Sequence, residues 1–191
     1  KALCVSEEGG NHPKVIETTL VNNILSGQKT YITAGTEAEQ LFVLCKTDEV
    51  HEGRPVLKMV LLSPTMEGIE ISHFPLPILT EVEHGRMALN DVRISTDQIL
   101  PEDGYLNYTK PFRSREDIGV GTAYQAMLLR QAIEYGWEEE LRDQLMLSLY
   151  NLSKFHDMEP LDPQTHLWLT ANEKRFLDLL PSIEENISAH S

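Results

Sequence analysis

Tyr31, Ile32 and Thr33 put an aromatic ring, an aliphatic spacer and a hydroxyl within two residues of one another. A strand that ends this way offers stacking area and a hydrogen-bonding group side by side. The turn-type pair Ser26-Gly27 feeds the run, Thr30 to Thr33 favour a strand, and Gly35 stops it. By residue type alone this is an ordinary hairpin, in which Tyr31 and Ile32 alternate between faces. The other reactive residues form no comparable set. His51, His73, His84, His156 and His166 show no ligand spacing with cysteines or carboxylates, so no metal site is expected. Serine, histidine and aspartate occur without a nucleophile-elbow sequence. Gly119-Val120-Gly121 lacks the preceding strand and third glycine of a dinucleotide fingerprint.

The elements around the Tyr-Ile-Thr run change texture midway. Up to about residue 100, short apolar runs are broken by Gly, Pro, Asn and Asp, and strands are expected at 2–6, 15–21, 30–33, 41–46, 56–62, 68–74 and 86–94. Short strands at this spacing point to an antiparallel β-sandwich or barrel. Pro64, Pro75, Pro77 and Pro101 fit loops or edges, because proline donates nothing to a ladder. After Gly104 the periodicity is helical. One helix carries Ile118, Ala123, Ala126, Met127, Leu129, Ala132, Ile133 and Tyr135, and a second carries Leu141, Leu145, Leu149 and Leu152. A third starts at Asp162 and Pro163, an N-cap followed by proline at the first helical position, and Pro181 is expected to kink or end it. The fold class is therefore α+β: a β-domain at 1–103, then a small antiparallel helical bundle at 104–191.

Composition narrows the partners. The 191 residues hold 30 acidic and 16 basic side chains, a formal net charge of −14. That balance opposes binding to nucleic acid or to an anionic membrane surface. No apolar run approaches the length of a membrane span. Cys4 and Cys45 sit inside apolar strand-like runs and read as reduced core residues of a cytoplasmic protein. The chain opens at Lys1, so further sequence is expected upstream.

Four segments carry a resemblance. Leu25-Ser26-Gly27-Gln28-Lys29-Thr30-Tyr31-Ile32-Thr33-Ala34-Gly35 resembles the "L-N-G-x-K-x-(W/Y)-I-T-N-G" signature in the middle β-domain of acyl-CoA dehydrogenases. Cys4-Val5-Ser6-Glu7 is similar to that family's "V-T-E-P" strand end, and Leu89-Asn90-Asp91-Val92-Arg93-Ile94 to its "F-x-D-V-x-V-P" strand. Phe112-Arg113-Ser114-Arg115 is similar to its "F-D-x-x-R" segment. The resemblance runs from about Ala2 to Tyr135 in the family's order. It implies FAD as cofactor, with Val5, Ser6, Tyr31, Ile32 and Thr33 around the flavin: Tyr31 stacking and Thr33 beside N5. It implies an acyl-CoA-like small molecule near Phe112 and Arg115, α,β-dehydrogenation of its thioester, and a homo-oligomer.

Departures from the pattern limit what is implied. The family's glutamate base lies either far downstream or immediately before the arginine matched by Arg115, where this chain has Ser114. Serine is a poor base without an activating partner. Glu116, two residues on, faces elsewhere on a helix, so no residue is assigned as catalytic. Where the family has "P-G-x-G-S-D", this chain reads Glu8-Gly9-Gly10-Asn11-His12-Pro13, and Glu7 and Glu8 bring negative charge toward a bound anion. Gly136-Trp137-Glu138-Glu139-Glu140 stands where the family has an arginine-containing turn, and its acids suit the solvated start of a helix. The sequence thus supports two readings: a flavin-dependent acyl-CoA dehydrogenase-like enzyme, or a shortened, non-catalytic relative serving as a binding or assembly module.

Overall fold

A computed structural model of the chain describes residues 1–76 and 82–189. Pro77 lies outside the described residues, whereas Pro64, Pro75 and Pro101 fall between elements. The chain divides into two compact units, Lys1–Thr109 and Lys110–Ser191.

The first unit is one seven-stranded sheet. Its strands are β1 (Ala2–Cys4), β2 (Thr19–Val21), β3 (Ile24–Thr33), β4 (Leu41–His51), β5 (Arg54–Leu62), β6 (Ile69–His73) and β7 (His84–Arg93). The order is β1-β4-β2-β3-β7-β6, with β5 on the other edge of β4. The sheet is mixed rather than antiparallel, and it is not a closed barrel. β1 and β2 both run parallel to β4, lying one after the other along it at Leu41–Val43 and Lys46–Thr47. Alternating hydrophobicity reports which face a strand buries, not the direction of its neighbour, so these two parallel pairs leave no trace in the pattern. The hairpins β2–β3, β4–β5 and β6–β7 are antiparallel, as is the long β3–β7 pair.

The turn that begins β3 is Asn22-Asn23, not Ser26-Gly27. Both asparagines have positive φ, 51° and 60°, as a two-residue type I′ hairpin requires. Gly27 instead lies within β3, where the register shifts between Leu25 and Gly27. A Cβ there would fall 2.7 Å from Thr18 Cα, so only glycine lets the two backbones approach. The main core fills one face with Leu20, Leu25, Ile32, Leu41, Val43, Val60, Met87 and Val92. A second cluster holds Val5, Ile16, Leu44, Leu57 and Met59. Cys4 and Cys45 are buried and free.

The second unit contains α1 (Lys110–Glu134), α2 (Glu139–Phe155) and α3 (Pro163–Ala189). Consecutive helices are antiparallel neighbours: Arg115 near the start of α1 reaches His156 just past the end of α2. Asn172 of α3 likewise meets Asn151 and Ser148 of α2. Leu128, Ala132, Trp137, Leu141, Leu145, Phe176 and Ile183 form its main core. Gly136, at φ 65°, breaks the chain between α1 and α2, and Glu139 and Glu140 occupy the first turn of α2. Pro181 does not end α3, which continues to Ala189. Beyond the proline, buried Ile183 anchors the last turns in the core and offsets the missing backbone bond.

Candidate functional site

One edge of the first unit gathers the Val5, Ser6, Tyr31, Ile32 and Thr33 segments. The Thr30 amide donates to the Ser6 carbonyl at 2.9 Å, joining the chain after β1 to β3. Opposite, β3 pairs with β7 through Thr30↔Arg86 and Ile32↔Gly85, leaving Tyr31 as the extra residue of a bulge. Tyr31 accordingly has φ 65°, a conformation that costs a non-glycine residue about 1–2 kcal/mol. The bulge keeps Ile32 in the core, 1% exposed, while Tyr31 turns outward and is 49% exposed. The outward ring is braced rather than loose. Its edge-to-face contact with Phe74 has centroids 5.2 Å apart, and the Arg86 guanidinium covers Phe74 at 4.2 Å. Thr33 is exposed, and its Oγ1 lies 3.4 Å from Nδ1 of the buried His84.

Beneath this surface sits a buried ion pair. Lys29, fully buried within β3, donates from Nζ to Glu7 Oε1 at 2.6 Å and to the Val5 carbonyl at 3.2 Å. Glu7 also accepts from the Glu17 amide at 2.6 Å, the Thr18 amide at 3.1 Å and the Thr18 hydroxyl at 2.7 Å. Burial pushes the Glu7 carboxyl up, but the Lys29 bond and charge and the Glu17 and Thr18 donors outweigh it and hold the carboxyl below its ordinary value. Burial pulls Lys29 down, against the opposing pull of Glu7. Glu7 is thus neutralised inside the unit and brings no free negative charge toward a bound anion, contrary to the sequence reading. This pair fixes the end of β1 against β3, and so fixes the backbone at Val5 and Ser6 beside Tyr31.

The glycine segment after Glu7 is committed to its own turn. The Glu7 amide donates to the Gly10 carbonyl at 2.9 Å, and the Gly10 amide to the Glu7 carbonyl at 2.8 Å. His12 Nδ1 accepts from the Lys14 amide at 3.2 Å and caps a short 3-10 turn at Pro13–Val15. These amides serve local structure.

No protein-family model and no curated protein sequence matches the chain. Solved structures do match it. Butyryl-CoA dehydrogenase from Megasphaera elsdenii is 14% identical with a TM-score of 0.76, over 99% of this chain and 58% of that one. A glutaryl-CoA dehydrogenase from Mycobacterium smegmatis in complex with FADH2 is 17% identical with a TM-score of 0.69, over 97% and 55%. The fold is acyl-CoA dehydrogenase-like. A probable acyl-CoA dehydrogenase from Mycobacterium abscessus gives the same picture, at 13% identity and a TM-score of 0.76. The chain spans little more than half of each of these structures.

Among the described residues, this edge of the sheet carries one outward aromatic ring, Tyr31, and one exposed hydroxyl, Thr33. Val5 and Ile32 have buried side chains, so only their backbone can face a ligand, and the Val5 carbonyl already accepts from Lys29. Phe112 and Arg115 belong to the second unit. Phe112 is exposed, and Arg115 Nη1 donates to the His156 carbonyl at 3.1 Å, tying α1 to the end of α2. Ser114 is buried with its hydroxyl on the Lys110 carbonyl at 3.3 Å, and among the described residues no base accepts from it. The same unit has a groove of about 630 Å³ between α1 and α3, walled by Val120, Tyr124, Leu169, Phe176 and Leu177. Sequence reasoning missed Lys29, Phe74, His84 and Arg86. A lysine amid strand residues was the one available signal; the others depend on how β3, β7 and the end of β6 pair.

Proposed function

We propose that the chain is an acyl-CoA dehydrogenase-like flavoprotein that holds FAD against the Tyr31–Thr33 edge of its β-unit. The single observation that carries this reading is Tyr31: a strained backbone at a bulge, spent on holding one braced aromatic ring outward. When bound, FAD supplies a hydride acceptor for α,β-dehydrogenation of an acyl-CoA thioester. This chain's residues would stack the ring (Tyr31), donate beside it (Thr33) and shape the approach with the Val5–Ser6 backbone, while Phe112 and Arg115 border the acyl-CoA-like substrate. Buried free cysteines fit a cytoplasmic setting, and exposed Val120, Met127, Ile133 and Leu167 fit contacts in a homo-oligomer.

Ser114 and Arg115 favour a second reading, in which the scaffold binds without dehydrogenating. The Ser114 hydroxyl is engaged with its own helix, and the Arg115 guanidinium stays protonated and is no base. The two readings separate in one experiment. Purified protein is titrated with FAD, then mixed anaerobically with acyl-CoAs of several chain lengths. Bound flavin that bleaches supports the enzyme, and bound flavin that does not bleach supports the non-catalytic scaffold. Absence of flavin binding overturns both flavin-based readings and leaves an assembly module.

A further inference from the structure

We infer that His84 is a positioning residue that fixes the Thr33 hydroxyl as an outward hydrogen-bond donor. The geometry is specific to this edge. His84 opens β7, is 7% exposed, and pairs with Thr33 across the β3–β7 ladder. Its Nδ1 meets Thr33 Oγ1 at 3.4 Å, while its Nε2 is buried without a hydrogen-bond partner among the described residues. The backbone on both sides is pinned: the Phe74 amide donates to the His84 carbonyl, and the Ala34 amide to the Glu83 carbonyl, each at 2.8 Å.

Two neutral tautomers compete. With the proton on Nε2, an N–H group is buried without an acceptor among the described residues, which costs its full desolvation. With the proton on Nδ1, that N–H has Thr33 Oγ1 to donate to, and only a bare lone pair is left at Nε2. The ring therefore carries its proton on Nδ1. Thr33 Oγ1 then accepts from His84, and its own hydrogen must point away from the ring. Because Thr33 is exposed, that hydrogen is offered to an acceptor outside the protein. A flat heteroaromatic ligand on Tyr31 with an imine-type nitrogen or carbonyl at its edge would be read by this donor. This last step rests on the flavin reading above; the tautomer does not.

The test has two arms. Imidazole ¹⁵N–¹H correlation spectra of the ligand-free full chain should show His84 protonated at Nδ1 and bare at Nε2. Protonation at Nε2 overturns the inference whether or not flavin binds. In FAD titrations, His84→Leu should weaken binding at least fivefold and to the same extent as Thr33→Val, with the double variant no weaker than Thr33→Val alone. His84→Asn, whose amide can still donate, should stay within about twofold of the unmodified chain. Fully additive losses in the double variant would mean that His84 does not act through Thr33. Should the unmodified chain bind no FAD while His84 carries its proton on Nδ1, the flavin reading falls and the Thr33 donor stands.

Discussion

Lys29 Nζ lies 2.6 Å from Glu7 Oε1, in a place nearly closed to water: Lys29 is fully buried and Glu7 is 7% exposed. The two residues come from separate segments, and their pairing pins the end of β1 beside β3. Removing one partner leaves a buried charge uncompensated. Lys29→Met is therefore expected to lower unfolding free energy by about 3–5 kcal/mol. Glu7→Gln combined with Lys29→Met should recover part of that loss, since no charge is left unpaired and the amide oxygen can still accept from Thr18. Urea denaturation of the single and double variants measures it, and equal losses in both would contradict the pairing.

The same pair sets an acid limit. Glu7 titrates below its ordinary value of 4.5 in the folded chain, so the folded state binds fewer protons than the unfolded state as pH falls through that region. Its contribution is complete above about 4.5 and is lost as pH drops toward the folded value. Denaturation profiles between neutral pH and strong acid should show a steeper loss for the natural chain than for Glu7→Gln.

Tyr31 is expected to trade stability for binding. Tyr31→Gly relieves a positive φ, worth about 1–2 kcal/mol, and loses a ring contact with Phe74 worth about 0.5–1.5 kcal/mol. The variant should melt within a few degrees of the natural chain, or above it, yet bind FAD at least tenfold more weakly. A large fall in melting temperature would show that the ring is structural rather than presented.

Both cysteines should be inert in the folded chain. Burial pushes each thiol up to about 12, with the Lys29 charge opposing only in part. A thiol reagent at neutral pH should label neither Cys4 nor Cys45 in native protein and both in denaturant. Rapid labelling of either in the native state would contradict its burial.

Much of the fold was legible because texture follows periodicity. The short broken runs became β-strands, and of the leucines at 141, 145, 149 and 152 all but Leu149 are buried on α2, with Ser148 buried beside it instead. Strand direction was not legible, since β1 and β2 bury the same residues whether parallel or antiparallel to β4. Ser26-Gly27 misled because glycine marks turns and close approaches alike, and here it faces Thr18. At the site, Tyr31 and Thr33 stand out as a local motif, whereas Glu7 by residue type alone reads as a hostile charge. Its neutralisation depends on Lys29, 22 residues away, and such long-range partners are written in topology rather than in spacing.

Spectral titration of the purified chain with FAD tests the flavin site most directly, read by flavin absorbance and fluorescence alongside Tyr31→Gly and Thr33→Val. Saturable binding at one flavin per chain, weakened at least tenfold in Tyr31→Gly, is the expected result. A chain that stays colourless in excess FAD, or that binds it equally well without the Tyr31 ring, would contradict the proposed site.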